Sequence, residues 1–371
     1  MYFHIILSET CDSRCRYCYG KSMKEFDNGL GEKFEFDFSA PVFSKVKIDD
    51  LKKFLKKDND PRIIFYGGEP LMNIKKIKEI MDNIDAKFYI QTNGKLLNKL
   101  EKEYINRFQK MLISIDGDGE RTDFNRGQGT YEIVKRNINL IKHNGYSGEL
   151  IARMTISFSD GFTDLLKQIK HLFSIGFDSI HWQLDMGFYK FDFDGKSVSN
   201  FISEYNKEVS KIINYWVENM KKGNVLKIYP FLGIMDSLLK NEKTLLRCGS
   251  GYANYTITTN GKLTVCPIMN NIVDFYVGDI KNSNPGELKK IFISNKCSSC
   301  EYSNLCGGRC LYSNYAKLWP EKGQDLICLS IKHLIEELKS KLDEIRNLIK
   351  EGIIDKNKFE YEKYFGPEII P

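Results

Sequence analysis

The chain has 371 residues, of which 42% are hydrophobic, so it is long enough for one large domain and a smaller one, each with its own core. Its net charge of +6 is spread along the sequence without a basic arm, which argues against nucleic acid as a partner. No apolar run is long enough to cross a membrane, and the opening MYFHIILSETC resembles a strand rather than a signal peptide, so we expect a cytoplasmic protein.

Apolar, β-rich segments alternate with amphipathic helical patterns through the first half of the chain. This alternation predicts βαβ units and a parallel sheet. Six units are too few for a complete eight-unit barrel, so we predict an α/β fold with a partial (β/α)6 barrel, whose reactive groups lie at the C-terminal ends of the strands. The predicted strands are Tyr2–Leu7, Arg62–Tyr66, Lys87–Gln91, Met111–Ile115, Leu150–Ile156 and Ser179–Leu184, and the predicted helices are Asp49–Lys57, Ile74–Ile84, Leu96–Phe108, Tyr131–His143 and Thr163–Ser174.

Three segments fall outside this alternation. Glu25–Lys47, rich in Phe, Asp and Gly, is predicted to be a loop or hairpin near the mouth of the site. Asn200–Lys222 and Phe231–Lys240 follow the sixth strand, and their apolar residues recur at helical spacing. We therefore expect a helical bridge after the barrel.

The last third of the chain combines a hairpin, a cysteine-rich region and a helix. Tyr255–Thr259 and Lys262–Val265 flank Asn260-Gly261, the turn sequence that favours a two-residue hairpin. The region from Cys248 to Cys328 has the loop-rich character of a small domain held together by metal. A final helix is predicted to pack on the domain, with dimerisation as the alternative, through the stripe Ile331, Ile335, Leu338, Leu342, Ile345 and Ile349.

Three cysteines follow the first predicted strand with the spacing C-x3-C-x2-C, namely Cys11, Cys15 and Cys18. Three thiolates on one short loop can bind three irons of a cubane [4Fe–4S] cluster. The absence of a fourth thiolate from this motif leaves one iron open to a chelating ligand. An incomplete zinc knuckle is the alternative, but structural zinc sites usually have four ligands.

The motifs after these cysteines resemble those of the radical S-adenosylmethionine (SAM) enzymes. Gly67-Gly68-Glu69-Pro70 resembles the GGEP motif of that family, whose backbone binds the methionine amino group. Polar sequences, Gln91-Thr92-Asn93-Gly94 and Ser114-Ile115-Asp116-Gly117, end the next two strands, as in the family. The SAM-binding residues that the resemblance implies are Tyr17 beside the adenine, Gly67, Gly68, Glu69, Pro70, Gln91, Asn93, Ser114 and Asp116, with Arg153 a candidate partner for the SAM carboxylate.

The resemblance, which covers about residues 1–187, also implies the chemistry. In such enzymes a reduced cluster passes an electron to SAM, which splits into methionine and a 5′-deoxyadenosyl radical. That radical abstracts hydrogen from an unactivated C–H bond. The protein orients the reactants and excludes water.

Seven further cysteines lie in the second half of the chain, and four of them read C-x2-C-x5-C-x3-C. Disulfides are rare in the cytoplasm, so these cysteines indicate ligation of metal or clusters. Their pattern resembles the SPASM domain of peptide-modifying radical SAM enzymes, which holds two auxiliary [4Fe–4S] clusters. The resemblance implies an outer cluster on Cys297, Cys300, Cys306 and Cys328, an inner cluster on Cys248, Cys266 and Cys310, and thus three [4Fe–4S] clusters in all.

This chain departs from the anaerobic sulfatase maturases at two places. They have one more cysteine upstream of the position of Cys248, where this chain has Glu242-Lys243-Thr244. The inner cluster therefore either has a non-cysteine ligand, such as Glu242, or an iron open to substrate. The maturases also have an acidic base after the position of Cys266, where this chain has Pro267.

The resemblance predicts an oxidoreductase that modifies a peptide or small protein by forming a crosslink, a thioether or a carbonyl. Formylglycine formation, as in the sulfatase maturases, is one alternative, and a small-molecule radical SAM reaction is another. A zinc-ribbon-like binding module in the C-terminal half is the non-enzymatic alternative. The predicted division is a radical SAM barrel at 1–187, a helical bridge at 188–245, a SPASM domain at 246–330, and a helix and tail at 331–371.

The expected partners are the peptide substrate and an electron donor such as ferredoxin or flavodoxin. Cys11 comes too early in the sequence for a preceding leader-binding domain, so we expect the substrate to be presented by a separate protein or bound at the barrel mouth and SPASM surface. Gln183 and Asp185 end the sixth strand, where Asp185 could accept a proton or act as a structural cap. The five histidines, His4, His143, His171, His181 and His333, share no spacing and are predicted to be structural.

Overall fold

The computed structural model describes residues 1–18, 20, 30–158, 161, 164–190, 192–293 and 295–371. They form two compact units. Unit 1 contains Met1–Ala152 and Gly249–Phe292, and unit 2 contains Arg153–Cys248 and Ile293–Pro371. Within the described residues, no helix has the length and apolar character needed to cross a membrane. Positions 25–29 of the predicted loop or hairpin lie outside the described residues.

A parallel sheet forms the centre of unit 1. Its first four strands, β1 to β4, pair in chain order and all run parallel. Every residue of β1 is buried, as expected of a strand covered on both faces. The α/β class and the parallel sheet are therefore confirmed. The strands are β1 Tyr2–Ser8, β2 Arg62–Gly67, β3 Lys87–Thr92 and β4 Phe108–Ser114, and β5, Glu149–Ser157, continues from unit 1 into unit 2.

The predicted hairpin is present, and it extends the same sheet. Its first strand, β8 (Asn254–Ile257), pairs parallel to β1 on the side opposite β2. Its second strand, β9 (Lys262–Thr264), is antiparallel to β8 and is followed by β10 (Tyr276–Asp279). The sequence indicated the hairpin but not its place beside β1, which brings part of the cysteine-rich region into unit 1.

The helix predicted at Leu96–Phe108 is wrong. The chain instead forms a 3-10 turn at Leu97–Lys99 and a single α-turn, and β4 already begins at Phe108. Leu97, Leu100 and Ile105 are all buried, but Leu100 is extended, so these side chains reach the core from two short turns. The helices of unit 1 within the described residues after Leu30 are α1 Ile48–Leu55, α2 Ile74–Asn83, α3 Lys102–Ile105, α4 Gly119–Arg126 and α5 Thr130–His143.

Unit 2 contains the end of β5, two further strands and long helices. β6 (Ser179–Asp185) pairs parallel to the short β7 (Lys227–Ile228). The helix at Gly195–Met220 packs against the one at Glu321–Ser340. The predicted final stripe is divided at Lys341 between two helices, and its Ile331, Ile335, Leu338 and Ile345 are buried. The helices are α6 Leu165–Ser174, α7 Gly195–Met220, α8 Tyr229–Lys240, α9 Ser303–Cys306, α10 Leu311–Ala316, α11 Glu321–Ser340 and α12 Leu342–Lys350.

Candidate active site

A cavity of about 730 Å³ lies in unit 1 at the carboxyl ends of β1 and β2. Two of the three cysteines after β1 line it, as does the glycine pair that ends β2. The loop of 35–40 and the residues after Cys266 contribute to its wall. Its lining residues include Glu9, Cys11, Cys18, Gly67, Gly68, Asn270 and Asn271.

The glycine pair is required by the close approach of two backbones. Gly67 has φ +144°, and a Cβ atom there would lie 2.2 Å from the carbonyl oxygen of Ser8. At Gly68 a Cβ atom would lie 2.5 Å from the carbonyl oxygen of Thr10. The amide of Gly68 donates to the Ser8 carbonyl at 2.8 Å. A side chain at either position would therefore force the cysteine-bearing loop away from β2.

The Glu69 side chain is buried and holds the end of β3. Its carboxylate accepts hydrogen bonds from the hydroxyl of Thr92 at 2.6 Å and the amide of Asn93 at 2.8 Å. It also caps the 3-10 helix that begins at Pro70, by accepting from the amide of Leu71 at 3.0 Å. Burial raises the pKa of Glu69 to about 7. The predicted SAM-binding Glu69 thus has a structural role in this state, and its neighbouring backbone lines the cavity.

The end of β3 anchors the cysteine loop in turn. The side-chain amide of Asn93 donates to the Asp12 carboxylate at 2.6 Å, and its nitrogen lies 3.8 Å from the Cys11 sulfur. Lys95, which the sequence analysis did not select, donates to the Asp12 carbonyl at 2.8 Å. Burial raises the pKa of the Cys11 thiol to about 11. A metal would favour the thiolate form of such a group.

A buried ion pair fixes the other side of this loop. Asp116, just after β4, is fully buried and binds the guanidinium of Arg126 at 2.8 and 3.0 Å. The Tyr17 hydroxyl donates to the same carboxylate. Burial, together with the charge of Asp116, keeps the pKa of Tyr17 well above its usual value, so the phenol remains a donor. Tyr17 and Asp116, both predicted from motifs, are therefore brought together by Arg126, which was missed.

A carboxylate that the sequence analysis missed stands on the cavity wall. Glu9 lies two positions before Cys11, and one of its oxygens accepts from the side-chain amides of Asn270 at 3.0 Å and Asn271 at 2.5 Å. Pro267, the position where the maturases have an acid, opens a 3-10 helix on the same wall. Only the pairing of β8 with β1, which sequence does not reveal, brings these segments together.

Arg153, the predicted carboxylate partner, lies in unit 2. Its guanidinium contacts His181 at 2.5 Å and donates to Gln183 at 3.0 Å, both on β6. Burial and the charge of Arg153 hold the pKa of His181 well below its usual value. Asp185 accepts from the Ser157 hydroxyl at 3.2 Å. The remaining predicted SAM residues, Gln91 and Ser114, are half-buried at the ends of β3 and β4.

A second cavity, of about 530 Å³, lies in unit 2 and is lined by five of the ten cysteines. All ten are free of disulfides. Burial raises the pKa of Cys297, Cys306 and Cys328, and repulsion between neighbouring thiolates adds to the rise. Those repulsions link the four cysteines predicted to hold the outer cluster. The five are Cys297, Cys300, Cys306, Cys310 and Cys328.

The cysteines predicted for the inner cluster are distributed over both units. Cys266 is buried in unit 1, whereas Cys248 and Cys310 belong to unit 2. Glu242, the alternative fourth ligand, is half-exposed and pairs with Lys363 at 3.1 Å. Its partner holds the pKa of Glu242 below the usual value. In this structure the Glu242 carboxylate is therefore paired with a lysine at the surface of unit 2.

The donor sets of both cavities suit iron–sulfur clusters. In the described part of the chain, no three His, Cys, Asp or Glu side chains are arranged to hold a single metal ion. A [4Fe–4S] cluster needs a different arrangement, because each thiolate binds its own iron. Such sets are present in both units: three cysteines lie on one loop beside a glycine-lined cavity, and the four cysteines predicted for the outer cluster line another cavity.

Comparisons with known proteins show which proteins this chain is similar to. Residues 5–166 match the family model of the Radical SAM superfamily. The chain is 21% identical over 386 residues to a cysteine-type anaerobic sulfatase-maturating enzyme of Clostridium perfringens, covering 92% of this chain and 97% of that one. It is 22% identical to the radical SAM cyclopropyl synthase TigE of Paramaledivibacter caminithermalis, covering 91% and 74%.

A solved structure has a similar fold over nearly the whole chain. Native anSMEcpe with bound AdoMet and the Cp18Cys peptide superposes with a TM-score of 0.67 and 18% sequence identity. The match covers 94% of this chain and 99% of that one. The likeness therefore extends beyond the segment of the family model into the cysteine-rich region.

Proposed function

We propose, from the premise that the chain is an enzyme of the radical SAM superfamily, that it modifies a peptide or small protein by radical chemistry. Membership of the family implies a [4Fe–4S] cluster and SAM. When bound, these supply the 5′-deoxyadenosyl radical that abstracts a hydrogen atom from a C–H bond. The observation that carries the proposal is the cavity where Cys11 and Cys18 meet the Gly67-Gly68 backbone.

We assign the radical cluster to Cys11, Cys15 and Cys18. Their loop is held from two sides, by Asn93 at the end of β3 and by Asp116 after β4. Gly67 and Gly68 let the cysteine loop pack directly against the end of β2, and both residues line the cavity in which we place SAM. This arrangement orients the cofactors before the substrate arrives, which is the protein's main contribution to such reactions.

The substrate side of the proposal rests on similarity to named enzymes and on the cavity wall. The sulfatase-maturating enzyme and the anSMEcpe complex are named for protein or peptide substrates. In this chain the cavity wall carries the Glu9 carboxylate, two positions before Cys11, and the two asparagines that donate to it. We place the substrate there, with its modified residue toward Cys11. A crosslink, a thioether or a carbonyl are the products within reach of such chemistry.

The finer organisation is also part of the proposal. Cys297, Cys300, Cys306 and Cys328 would hold an outer auxiliary cluster, and Cys248, Cys266 and Cys310 an inner one, giving three clusters. An electron donor such as ferredoxin or flavodoxin would reduce the enzyme. The barrel at 1–187, bridge at 188–245, SPASM domain at 246–330 and tail at 331–371 remain the predicted division.

Formylglycine formation is the second candidate, because the sulfatase-maturating enzyme matches over 92% of this chain. Pro267 argues against it, since proline cannot serve as a base. Glu9 and Asp37 are carboxylates that line the same cavity, and Glu9 is the one two positions before Cys11. The two candidates therefore differ in whether Glu9 acts as a base for a substrate thiol.

The test uses anaerobically purified protein with SAM, dithionite and a synthetic peptide that contains one cysteine. Mass spectrometry of the peptide separates the candidates, because formylglycine has lost the sulfur, whereas a thioether or crosslink has lost two hydrogens. We expect the latter with an appropriate peptide. SAM cleavage that is unaffected by any peptide, with products only from small molecules, would contradict the peptide assignment.

A further inference from the structure

Arg309 carries a buried charge in the cysteine-rich part of unit 2. It lies between Cys306 and Cys310, is only 6% exposed and has a left-handed backbone at φ +59°. Its Nε donates to a main-chain oxygen of Pro371, the last residue of the sequence, at 3.2 Å. Within the described residues, the terminal nitrogens Nη1 and Nη2 are buried and have no hydrogen-bond partner.

Such an arrangement is costly unless an anion completes it. A buried guanidinium must be paired or hydrogen-bonded, because it has lost the water that would otherwise solvate it. A non-glycine residue in a left-handed conformation adds strain, which proteins concentrate at functional sites. The two buried terminal nitrogens of Arg309 therefore point to a missing acceptor, which an anion in the adjacent cavity would supply.

The cavity beside Arg309 is where that partner would bind. Arg309 lines it together with five cysteines. The backbone amides of Gly308 and Arg309 donate to the sulfur of Cys306.

The other charges at this cavity leave Arg309 as the buried cation. Lys296 is exposed and paired with Asp325 at 2.6 Å and Glu321 at 3.3 Å. Lys317 is also exposed, so water screens its charge, and the half-buried Lys332 has its ammonium 5.5 Å from the ring centroid of Tyr302. The buried charge of Arg309 is screened less than the charges of these lysines. It therefore has the larger effect on any cluster held by the cysteines.

We propose that Arg309 is the counter-charge of the outer auxiliary cluster and raises its reduction potential. The inference rests on the proposed function, which places that cluster on Cys297, Cys300, Cys306 and Cys328. A thiolate-bound [4Fe–4S] cluster is anionic and gains a further negative charge when it accepts one electron. The Arg309 guanidinium therefore stabilises the reduced form more than the oxidised form, and the cluster is a better electron acceptor. Arg309 is a positioning residue, since its proposed effect acts through the cluster.

The test is an EPR-monitored redox titration of the anaerobic holoenzyme, with iron and sulfide assays on the same samples. Arg309→Gln should shift the reduction potential of one cluster to a lower value. Arg309→Lys keeps the positive charge, so its potential should stay close to that of the wild type. Lys317→Ala, at the exposed side of the same cavity, is the matched control and should leave all potentials unchanged. Loss of one cluster from Arg309→Gln, with retention in Arg309→Lys, would equally support a counter-charge.

Two results would overturn the inference. One is an unchanged set of potentials in Arg309→Gln with full iron content. The other is equal loss of iron in Arg309→Gln and Arg309→Lys, because the charge would then not be what matters. A wild-type protein that holds only the radical cluster would instead overturn the auxiliary clusters of the proposed function. That result is separate, since the iron assay alone reveals it.

Discussion

Arg126, at the end of α4, binds both oxygens of Asp116 after β4, and both side chains are buried. Because Tyr17 donates to the same carboxylate, this pair ties the cysteine loop to the sheet. The amide of Arg16 also donates to the Asn125 carbonyl of α4 at 2.9 Å. The position of the predicted cluster loop thus depends on a helix that carries none of its ligands.

Asp116→Asn should destabilise the protein by about 3 kcal/mol, because it leaves the Arg126 charge buried and unpaired. Urea unfolding of the anaerobic protein measures the loss. Asp82→Asn is the control, since it breaks the exposed pair of Asp82 with Arg107 at 3.0 Å and should cost less than about 1 kcal/mol. Equal losses in the two variants would contradict a special role for the buried pair.

Gly67→Ala and Gly68→Ala should each weaken SAM binding and lower stability by about 1–3 kcal/mol, since the new Cβ would overlap the backbone of the cysteine loop. Equilibrium binding of SAM and thermal unfolding provide the two readouts. Gly31→Ala is the matched control, because a Cβ at Gly31 meets nothing within 4 Å. Normal SAM binding in both cavity variants would remove the glycine pair from the site.

Arg153→Ala should weaken SAM binding by about 2 kcal/mol if the guanidinium pairs with the SAM carboxylate. The structure shows Arg153 bound to His181 and Gln183, so an indirect role must be separated. Gln183→Ala removes one of those contacts and keeps the charge of Arg153. An equal loss of affinity in Gln183→Ala would mean that Arg153 only orders β6.

Glu368 should give the stability a measurable pH dependence. It is buried, and burial raises its pKa from 4.5 to about 7. The folded protein therefore binds this proton more tightly than the unfolded chain. The resulting stabilisation is complete below about pH 4.5 and is lost as the pH rises to about 7, a total of roughly 3 kcal/mol.

Glu368→Gln should remove that contribution. The melting temperature of the variant minus that of the wild type should therefore increase between pH 5 and pH 8. Differential scanning fluorimetry at several pH values measures it. The exposed Glu351→Gln should show a constant difference. A constant difference for Glu368→Gln as well would show that this carboxyl is ionised throughout.

Local patterns predicted much of the fold because the strands are strongly apolar. β1 is buried along its whole length, and the Asn260-Gly261 turn specified its hairpin. The helix α4 was missed because its buried residues include Arg121, Asn125 and Arg126, which resemble a solvent-exposed face. The opposite error was made at 96–108, where one helix was predicted. The apolar residues at helical spacing there belong to two separate turns.

For the site, motifs identified groups of residues but not their partners. Cys11 and Asn93 were both selected, yet their approach depends on the register of β3 against the rest of the sheet. Glu9 reached its asparagines only through the pairing of β8 with β1. The sequence shows Arg309 only as a basic residue among cysteines, and its burial becomes apparent in the structure. Contacts of this kind arise from long-range packing, which no local pattern encodes.

The most direct test of the central claim measures 5′-deoxyadenosine formed from SAM by the anaerobically reconstituted protein with dithionite. The account predicts product from the wild type and from a Cys297→Ala, Cys300→Ala double variant. It predicts none from the triple variant Cys11→Ala, Cys15→Ala, Cys18→Ala, which should keep about two-thirds of the iron. SAM cleavage by that triple variant at the wild-type rate would contradict the assignment of the radical cluster to these cysteines.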